Sequence, residues 1–218
     1  KPGITTAQLD KLGANTLQKL GARSAPQLLY KFPGATCISV NDEVAHGIPG
    51  KRVIKPGDLV NIDVSAELNG YFADSGASIP IEPVSRLIFD ICKTSKSALK
   101  KAVAAATAGA DINRIGLLVE TEAQTAGFTI IRNLCGHGVG RALHEEPHNI
   151  LNYYDPQYKK KFKRGMTVAL ETFISAGADY VIDGSDGWTL KTPDAALVAQ
   201  YEHTIVITEN ELIILIEY

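Results

Sequence analysis

Asn69-Gly70 constrains this 218-residue chain more tightly than any other pair of neighbours. It lies between two alternating runs, and Asn-Gly in that setting is the strongest short-range signal for a two-residue hairpin turn with positive φ at both positions. If these two residues turn the chain, Leu68 faces Tyr71 and Ser65 faces Asp74. Side chains alternate along a strand, so Asp63 and Ser65 share a face with Asp74. The two aspartates then become diagonal neighbours about 7–8 Å apart, within joint reach of one ion. The other face reads Ile62, Val64, Ala66 and Leu68 against Tyr71, Ala73 and Ser75, and is expected to be core. Two carboxylates on the wet side of a hairpin repel each other unless a counter-charge intervenes, and a divalent cation is the usual remedy. At this point a pair of merely exposed polar positions explains the hairpin equally well.

Length allows one large domain or two intimately packed halves, with a substantial core. Charge is nearly balanced, 22 basic residues against 24 acidic, so nothing in it calls for DNA or an anionic membrane. No apolar run approaches the roughly 18 residues of a membrane span. Cys37, Cys92 and Cys135 are odd in number and irregular in spacing, unlike a disulfide framework or a zinc ribbon. The simplest reading is a reducing, cytoplasmic setting.

Ahead of the hairpin, Thr5-Thr6 is placed to cap a helix with Leu9, Leu12, Thr16 and Leu20 at helical spacing and Gly21 as terminator. Residues 22–36 read as loop, Cys37 to Val40 as a strand, and Asn41-Asp42-Glu43 as a turn. His46, before Gly47-Ile48-Pro49, is on its own an ordinary surface histidine. After the hairpin, Ser85 is expected to cap a helix ending near Gly109. Asp111 is expected to cap another, with Ile112, Ile115, Leu118, Val119, Ala123 and Ala126 turned inward and Gly127 ending it. Phe128 to Leu134 reads as a short apolar strand, and Thr208 to Tyr218 as a closing hairpin around Glu209-Asn210-Glu211.

A second dense stretch runs from Cys135 to His148 and places three of the five histidines within twelve residues. Gly136, Gly138 and Gly140 match neither the dinucleotide fingerprint nor a P-loop. Glycines on both sides of His137 instead allow close backbone approach to whatever its imidazole touches. Further on, Glu171 sits in the middle of the apolar run Thr167 to Ile174, and Glu202 in the middle of Leu197 to Val206. A buried unpaired carboxylate costs several kcal/mol, so each needs a partner or a metal. The basic run Lys159, Lys160, Lys161, Lys163 and Arg164 reads as a solvated loop, with contact to ribosomal RNA as its functional alternative.

Asp63, Asp74, His137, Glu171 and Glu202 make an oxygen-rich set without a thiolate, suited to harder divalent ions such as Mn(II), Fe(II) or Co(II) rather than a structural zinc. Four carboxylates can neutralise two such ions, and a paired-metal site generates hydroxide near neutral pH, which points to hydrolysis.

The motifs His46-Gly47-Ile48-Pro49, the Asp63/Asp74 hairpin, Gly136 to Gly140, His144-Glu145-Glu146-Pro147, Glu171 and Tyr201-Glu202-His203-Thr204 resemble methionine aminopeptidase in order and spacing, across essentially the whole chain. The resemblance implies an α/β (α+β) pita-bread fold, two pseudo-symmetric halves of antiparallel sheet flanked by helices around a central dinuclear site, as a single catalytic domain over residues 1–218. The 27-residue step from His144 to Glu171 resembles the bacterial type I form, without room for the helical insertion of type II. The resemblance implies that Asp63 chelates one ion and His137 with Glu171 the other, while Asp74 and Glu202 bridge both. Co(II), Mn(II) or Fe(II) are the implied metals, with Zn(II) or Ni(II) as alternatives. Glu171 would accept the proton of the attacking water, His144 would hydrogen-bond the carbonyl oxygen, and His46 would contact the substrate near the scissile nitrogen. Phe32, Cys37 and Trp188 would line the methionine pocket. The implied substrates are the N-termini of nascent polypeptides with a small second residue, met by a cytoplasmic monomer.

Leu143 stands where relatives often carry an aromatic, so a different pocket shape is expected. Thr172 stands where proline is common, which is expected to loosen the strand. The family's usual N-terminal helical segment is expected to be missing ahead of Lys1. An X-Pro peptidase is the nearest rival within the fold, a non-catalytic binding module a rival of another class, and nucleophilic attack by Cys135 or Cys37 a third.

Overall fold

A computed structural model describes residues 1–210 and 213–216. Its elements in order are α1 (Thr6–Lys19), β1 (Arg23–Ser24), α2 (Ala25–Tyr30), β2 (Cys37–Val40), β3 (Glu43–Ala45), β4 (Leu59–Leu68) and β5 (Tyr71–Pro80). Then come α3 (Arg86–Ala105), α4 (Asn113–Thr125), β6 (Thr129–Ile130), β7 (Cys135–Gly138), β8 (Glu145–Leu151), β9 (Thr167–Ser175), β10 (Ile182–Asp183), β11 (Leu190–Lys191), β12 (Val198–Val206) and β13 (Ile213–Ile216).

The expected hairpin forms in the expected register. Asn69 and Gly70 have φ of 53° and 83°, and β4 pairs with β5 from Leu59↔Pro80 to Leu68↔Tyr71, with Ser65 opposite Asp74. Which face is covered is the reverse of the expectation. Asn61, Ser65, Glu67, Asp74 and Ser78 are buried, whereas Ile62, Val64, Ala66 and Ala73 are only half-buried and Leu68 and Tyr71 are exposed. The polar face is the inner wall of a cavity closed by the rest of the sheet. The apolar face is covered at its Val60 end, where Ile62, Ile4 and Leu9 pack against Ile38, Val40, Ile54 and Val60, and runs out into solvent at the turn.

One ten-stranded sheet has the order β1-β4-β5-β12-β9-β7-β8, with β2, β6 and β13 pairing alongside it, and every pairing is antiparallel. Its two long pairs, β4/β5 and β9/β12, meet at β5–β12. Only Tyr201↔Ala77 pairs in the ladder there. Hydroxyls lace the rest of that seam. Thr204 Oγ1 accepts from the Asp74 amide (2.9 Å) and donates to the Asp74 carbonyl (2.6 Å), Ser78 Oγ accepts from the Gln200 amide (2.9 Å), and the Tyr201 hydroxyl donates to the Ser78 carbonyl. Buried backbone groups that miss a ladder partner must find another, and here side chains supply it. The two halves are therefore joined by side chains at the place where their carboxylates converge.

Strand alternation explains the mid-strand glutamates. On β9 and β12, Val168, Leu170, Ile174, Tyr201 and Ile205 pack against α3 and α4 through Ile91, Leu99, Ile115 and Val119. The opposite face sends Glu171, Phe173 and Glu202 into the cavity. Each fully buried aliphatic of that core contributes about 1.5–3 kcal/mol, which holds the polar face in place. A small sheet, β10-β11-β3, carries the loop bearing Trp188.

Several local expectations change. Residues 22–36 are not all loop, because Ser24 accepts from the Gln27 amide and Pro26 sits where a helix start tolerates it, giving α2. Thr5 caps α1 in a full capping box, but Leu12 and Leu20 point outward while Thr6 and Leu17 are buried. Ser85 caps α3 as expected, yet the helix stops at Ala105. Asp111 caps nothing: α4 starts after Ile112 without a side-chain cap, Asp111 pairs with Lys161 (3.3 Å), and Ala126 is exposed. Of Phe128 to Leu134 only Thr129–Ile130 is strand. Thr172 does not loosen β9. The ladder to β12 is continuous from Thr167↔Val206 to Ser175↔Val198, and the Thr172 hydroxyl is within 2.8 Å of Ser95 Oγ, which donates to the Ala199 carbonyl (3.0 Å). The expected closing hairpin forms between β12 and β13, from Val206↔Ile213 to Thr204↔Ile216, so that its first arm is β12 rather than residues from Thr208 onward. Glu211 of the expected turn, and Glu217 and Tyr218, lie outside the described residues.

Candidate metal centre

Each carboxylate of the site comes from a different strand of the two long pairs. Asp63 is on β4 and Asp74 on β5, while Glu171 on β9 and Glu202 on β12 are direct partners across their ladder. His137 on β7 reaches them because its neighbours have no side chains. A Cβ on Gly136 would lie 2.5 Å from the Ala169 carbonyl oxygen, and one on Gly138 would overlap the Glu145 and Glu146 carbonyls. The expected close approach around His137 is therefore what the glycines provide.

Asp74, His137 and Glu202 are all buried, and one ligand atom from each lies within 4.8 Å of the others. His137 Nδ1 is 3.0 Å from the Gly138 carbonyl oxygen, so Nδ1 is the natural donor and Nε2, 3.9 Å from Asp74 Oδ2, turns its lone pair inward. Two neutral side chains fix the far oxygens of the carboxylates: Ser65 Oγ donates to Asp74 Oδ1 (2.9 Å) and Gln200 Nε2 to Glu202 Oε2 (3.0 Å). Gln200 is itself oriented by Asn61 Nδ2, which donates to its Oε1 at 2.7 Å. It fits because position 76 is glycine; a Cβ there would overlap the amide. Asp63 Oδ1 is shut off from solvent and has no hydrogen-bond partner.

Electrostatics make this set costly without a cation. Burial first, then repulsion from Asp74, pushes Asp63, Glu171 and Glu202 well above the ordinary carboxylate range. The roughly 450 Å³ cavity they line contains no lysine or arginine among the described residues. An orphaned buried oxygen, four carboxylates and an imidazole lone pair facing one space fit divalent ions with oxygen and nitrogen ligands.

The other expected residues also line this cavity: His46, His144, Phe32, Cys37 and Trp188. Phe32 meets Trp188 edge to face, ring centroids 5.3 Å apart, and Asp186 Oδ1 anchors the Trp188 and Thr189 amides at 2.9 and 2.8 Å. Leu143, Phe173, Leu134 and Ala45 complete the apolar lining. The His144 ring lies 4.2 Å from the His137 ring, and burial and that neighbour lower its pKa to about 4. Both candidate thiols are poor nucleophiles: burial and nearby carboxylates raise Cys135 to about 11 and Cys37 well above its ordinary value. Reading the sequence missed Tyr30, Gln200 and Thr204, and placed Ser65 opposite Asp74 without giving it a role. For Tyr30 the only local signal was its place at the end of a Ser-Ala-Pro helix start.

Residues 1–209 match the model of metallopeptidase family M24. The chain is 50% identical to methionine aminopeptidase 2 of Bacillus subtilis over 216 residues, covering 99% of this chain and 87% of that protein. It is 45% identical to the methionine aminopeptidase of Staphylococcus epidermidis, covering 96% and 84%. The crystal structure of methionine aminopeptidase from Thermotoga maritima superposes with a TM-score of 0.95 at 35% identity, over 100% of this chain and 87% of that one.

Proposed function

The chain belongs to metallopeptidase family M24, and from that membership we propose how its residues share out the work of a methionine aminopeptidase. It is a metallo-aminopeptidase that removes N-terminal methionine from polypeptides, on the pita-bread fold. The observation that carries the rest is the convergence of four carboxylates and His137 on one cavity lined, among the described residues, by no lysine or arginine.

Two divalent ions would be held there, one by Asp63 and one by His137 with Glu171, with Asp74 and Glu202 shared between them. The oxygen-rich set favours Mn(II), Fe(II) or Co(II), with Zn(II) or Ni(II) as alternatives. When bound, such ions polarise a carbonyl and bring the pKa of water near neutrality. Glu171, its carboxylate raised by burial, accepts a proton from the attacking water and can return it to the departing amine. His144, neutral at pH 7, donates a hydrogen bond to the carbonyl oxygen as charge develops on it. His46, standing open at the cavity, contacts the substrate near the scissile nitrogen. Phe32, Cys37 and Trp188 take the thioether, whose polarizable sulfur suits aromatic edges. Tyr30, His46 and His144 line the same cavity, and the preferred second residue would be a small one.

The chain would work as one catalytic domain over residues 1–218, of the type I form. It would act as a cytoplasmic monomer on nascent polypeptides. Any ribosome contact would use the 159–164 run, where Lys160 is paired with Glu146 (2.7 Å) and Lys161 with Asp111.

Chelator-treated protein supplied separately with Mn(II), Co(II), Fe(II) or Zn(II) should release methionine from a Met-Gly peptide, more slowly from Met-Leu, and not cleave an X-Pro peptide. Asp74→Asn should abolish turnover and most metal binding. Turnover retained in that variant would overturn the shared-ligand assignment.

A further inference from the structure

The Tyr30 hydroxyl lies 3.0 Å from His144 Nδ1, across 114 residues of sequence. Among the described residues it is the one hydrogen bond of the His144 ring. Both residues line the cavity. Tyr30 ends α2, while His144 follows a turn in which Glu145 Oε2 accepts from the Arg141 and Ala142 amides at 3.0 and 3.1 Å. Glu145 therefore fixes the backbone ahead of His144 and leaves the ring to be fixed by other groups. That ring is tilted against its two aromatic neighbours, with centroids 4.2 Å from the His137 ring and 6.3 Å from the Tyr30 ring.

We propose that Tyr30 is a positioning residue, whose hydroxyl holds the His144 ring and sets its tautomer so that Nε2 carries the proton offered to the substrate carbonyl. A neutral imidazole has a single N–H, and the hydrogen bond made at one nitrogen decides whether the other is donor or acceptor. A phenol hydroxyl that donates to Nδ1 puts the ring proton on Nε2. The reverse arrangement, Nδ1–H donating to the phenol oxygen, would present a bare lone pair to a carbonyl oxygen and repel it. A hydroxyl rotates freely enough to take the donor role, and no other partner need move.

The inference rests on the reading that His144 contacts the carbonyl oxygen, and the test separates the two. Tyr30→Phe removes one oxygen from a half-exposed ring and should leave folding and metal binding as they were. In the metal-loaded enzyme kcat should fall about 10-fold with KM nearly unchanged, the pattern of an interaction made in the transition state. In a His144→Ala background the same change should cost nothing further. Nitrogen-15 spectra of the Zn(II)-loaded protein should show His144 as the Nε2–H tautomer, and a mixture of tautomers in Tyr30→Phe. An unchanged kcat, a full loss persisting in the His144→Ala background, or an Nδ1–H tautomer in the unaltered protein would each overturn the proposal. If His144→Ala itself leaves turnover intact, the role given to His144 fails, whereas the tautomer spectra still decide what Tyr30 does.

Discussion

Gln200 makes one hydrogen bond toward each half of the sheet, accepting from Asn61 on β4 and donating to Glu202 within β12. Its amide can face only one way, because Asn61 Nδ2 must meet an oxygen. The donor that remains is therefore aimed at Glu202 Oε2. Gln200→Leu keeps the volume but removes both bonds, freeing Glu202 to rotate and leaving the Asn61 amide without this acceptor. Outer-shell partners of this kind are typically worth about 10–100-fold in metal affinity, so Mn(II) binding by calorimetry should weaken by that order with an unchanged circular dichroism spectrum. Unaltered affinity would remove Gln200 from the site. Gln200, Thr204 and Tyr30 were not legible in the sequence because their partners lie 139, 130 and 114 residues away and each is an ordinary polar residue locally. Glu171 and Glu202 were legible for the opposite reason: a charge inside an apolar strand is anomalous without any knowledge of its partner.

At the level of elements, the turn at Asn69-Gly70 and the register it sets could be read from two residues, since a type of turn dictates its own pairing. Which face of that hairpin goes inward could not. Alternation distinguishes two faces, but their fates are decided by what packs on each, and here the β9/β12 pair and β7 close over the aspartates. The α2 helix was hidden by the habit of reading proline as a breaker, although proline in a first helical turn is favourable. Gly70→Ala places a Cβ at φ 83°, which costs about 1–2 kcal/mol. Urea unfolding should register that loss. Turnover per folded molecule should stay the same, because the register is also held beyond the turn: the Phe72 amide donates to the Gly140 carbonyl at 2.7 Å, and Arg141 lies 4.0 Å above the Tyr71 ring. A lost turnover with intact folding would mean that the turn alone sets the aspartate positions.

Across the whole molecule, the two halves join by burying like charges at their seam, so assembling the fold and binding metal are linked. Asp63, Glu171 and Glu202 are raised above their unfolded values, so the folded state binds more protons than the unfolded one. Their contribution to stability is fully present below the unfolded carboxylate pKa of about 4 and is lost as pH rises through the folded values. The lowered His144 acts with the opposite sign between about 4 and 6.5, stabilising the fold as pH rises through that window. A window therefore opens above about pH 7, where the lowered His46 and His144 are mostly neutral in both states. Up to about pH 8 the lowered carboxylates Glu67, Glu122, Glu146 and Asp186 are ionised in both states as well, and the raised thiols Cys37, Cys92 and Cys135 are mostly protonated in both. Metal reverses the effect, because ligands must shed their protons to bind, so affinity rises with pH. The chelated protein should lose thermal stability as pH rises above neutral, while the Mn(II)-loaded protein should not. The gap between their Tm values should widen with pH, and a gap that stays constant across that range would show that the buried carboxylates do not couple metal binding to the fold.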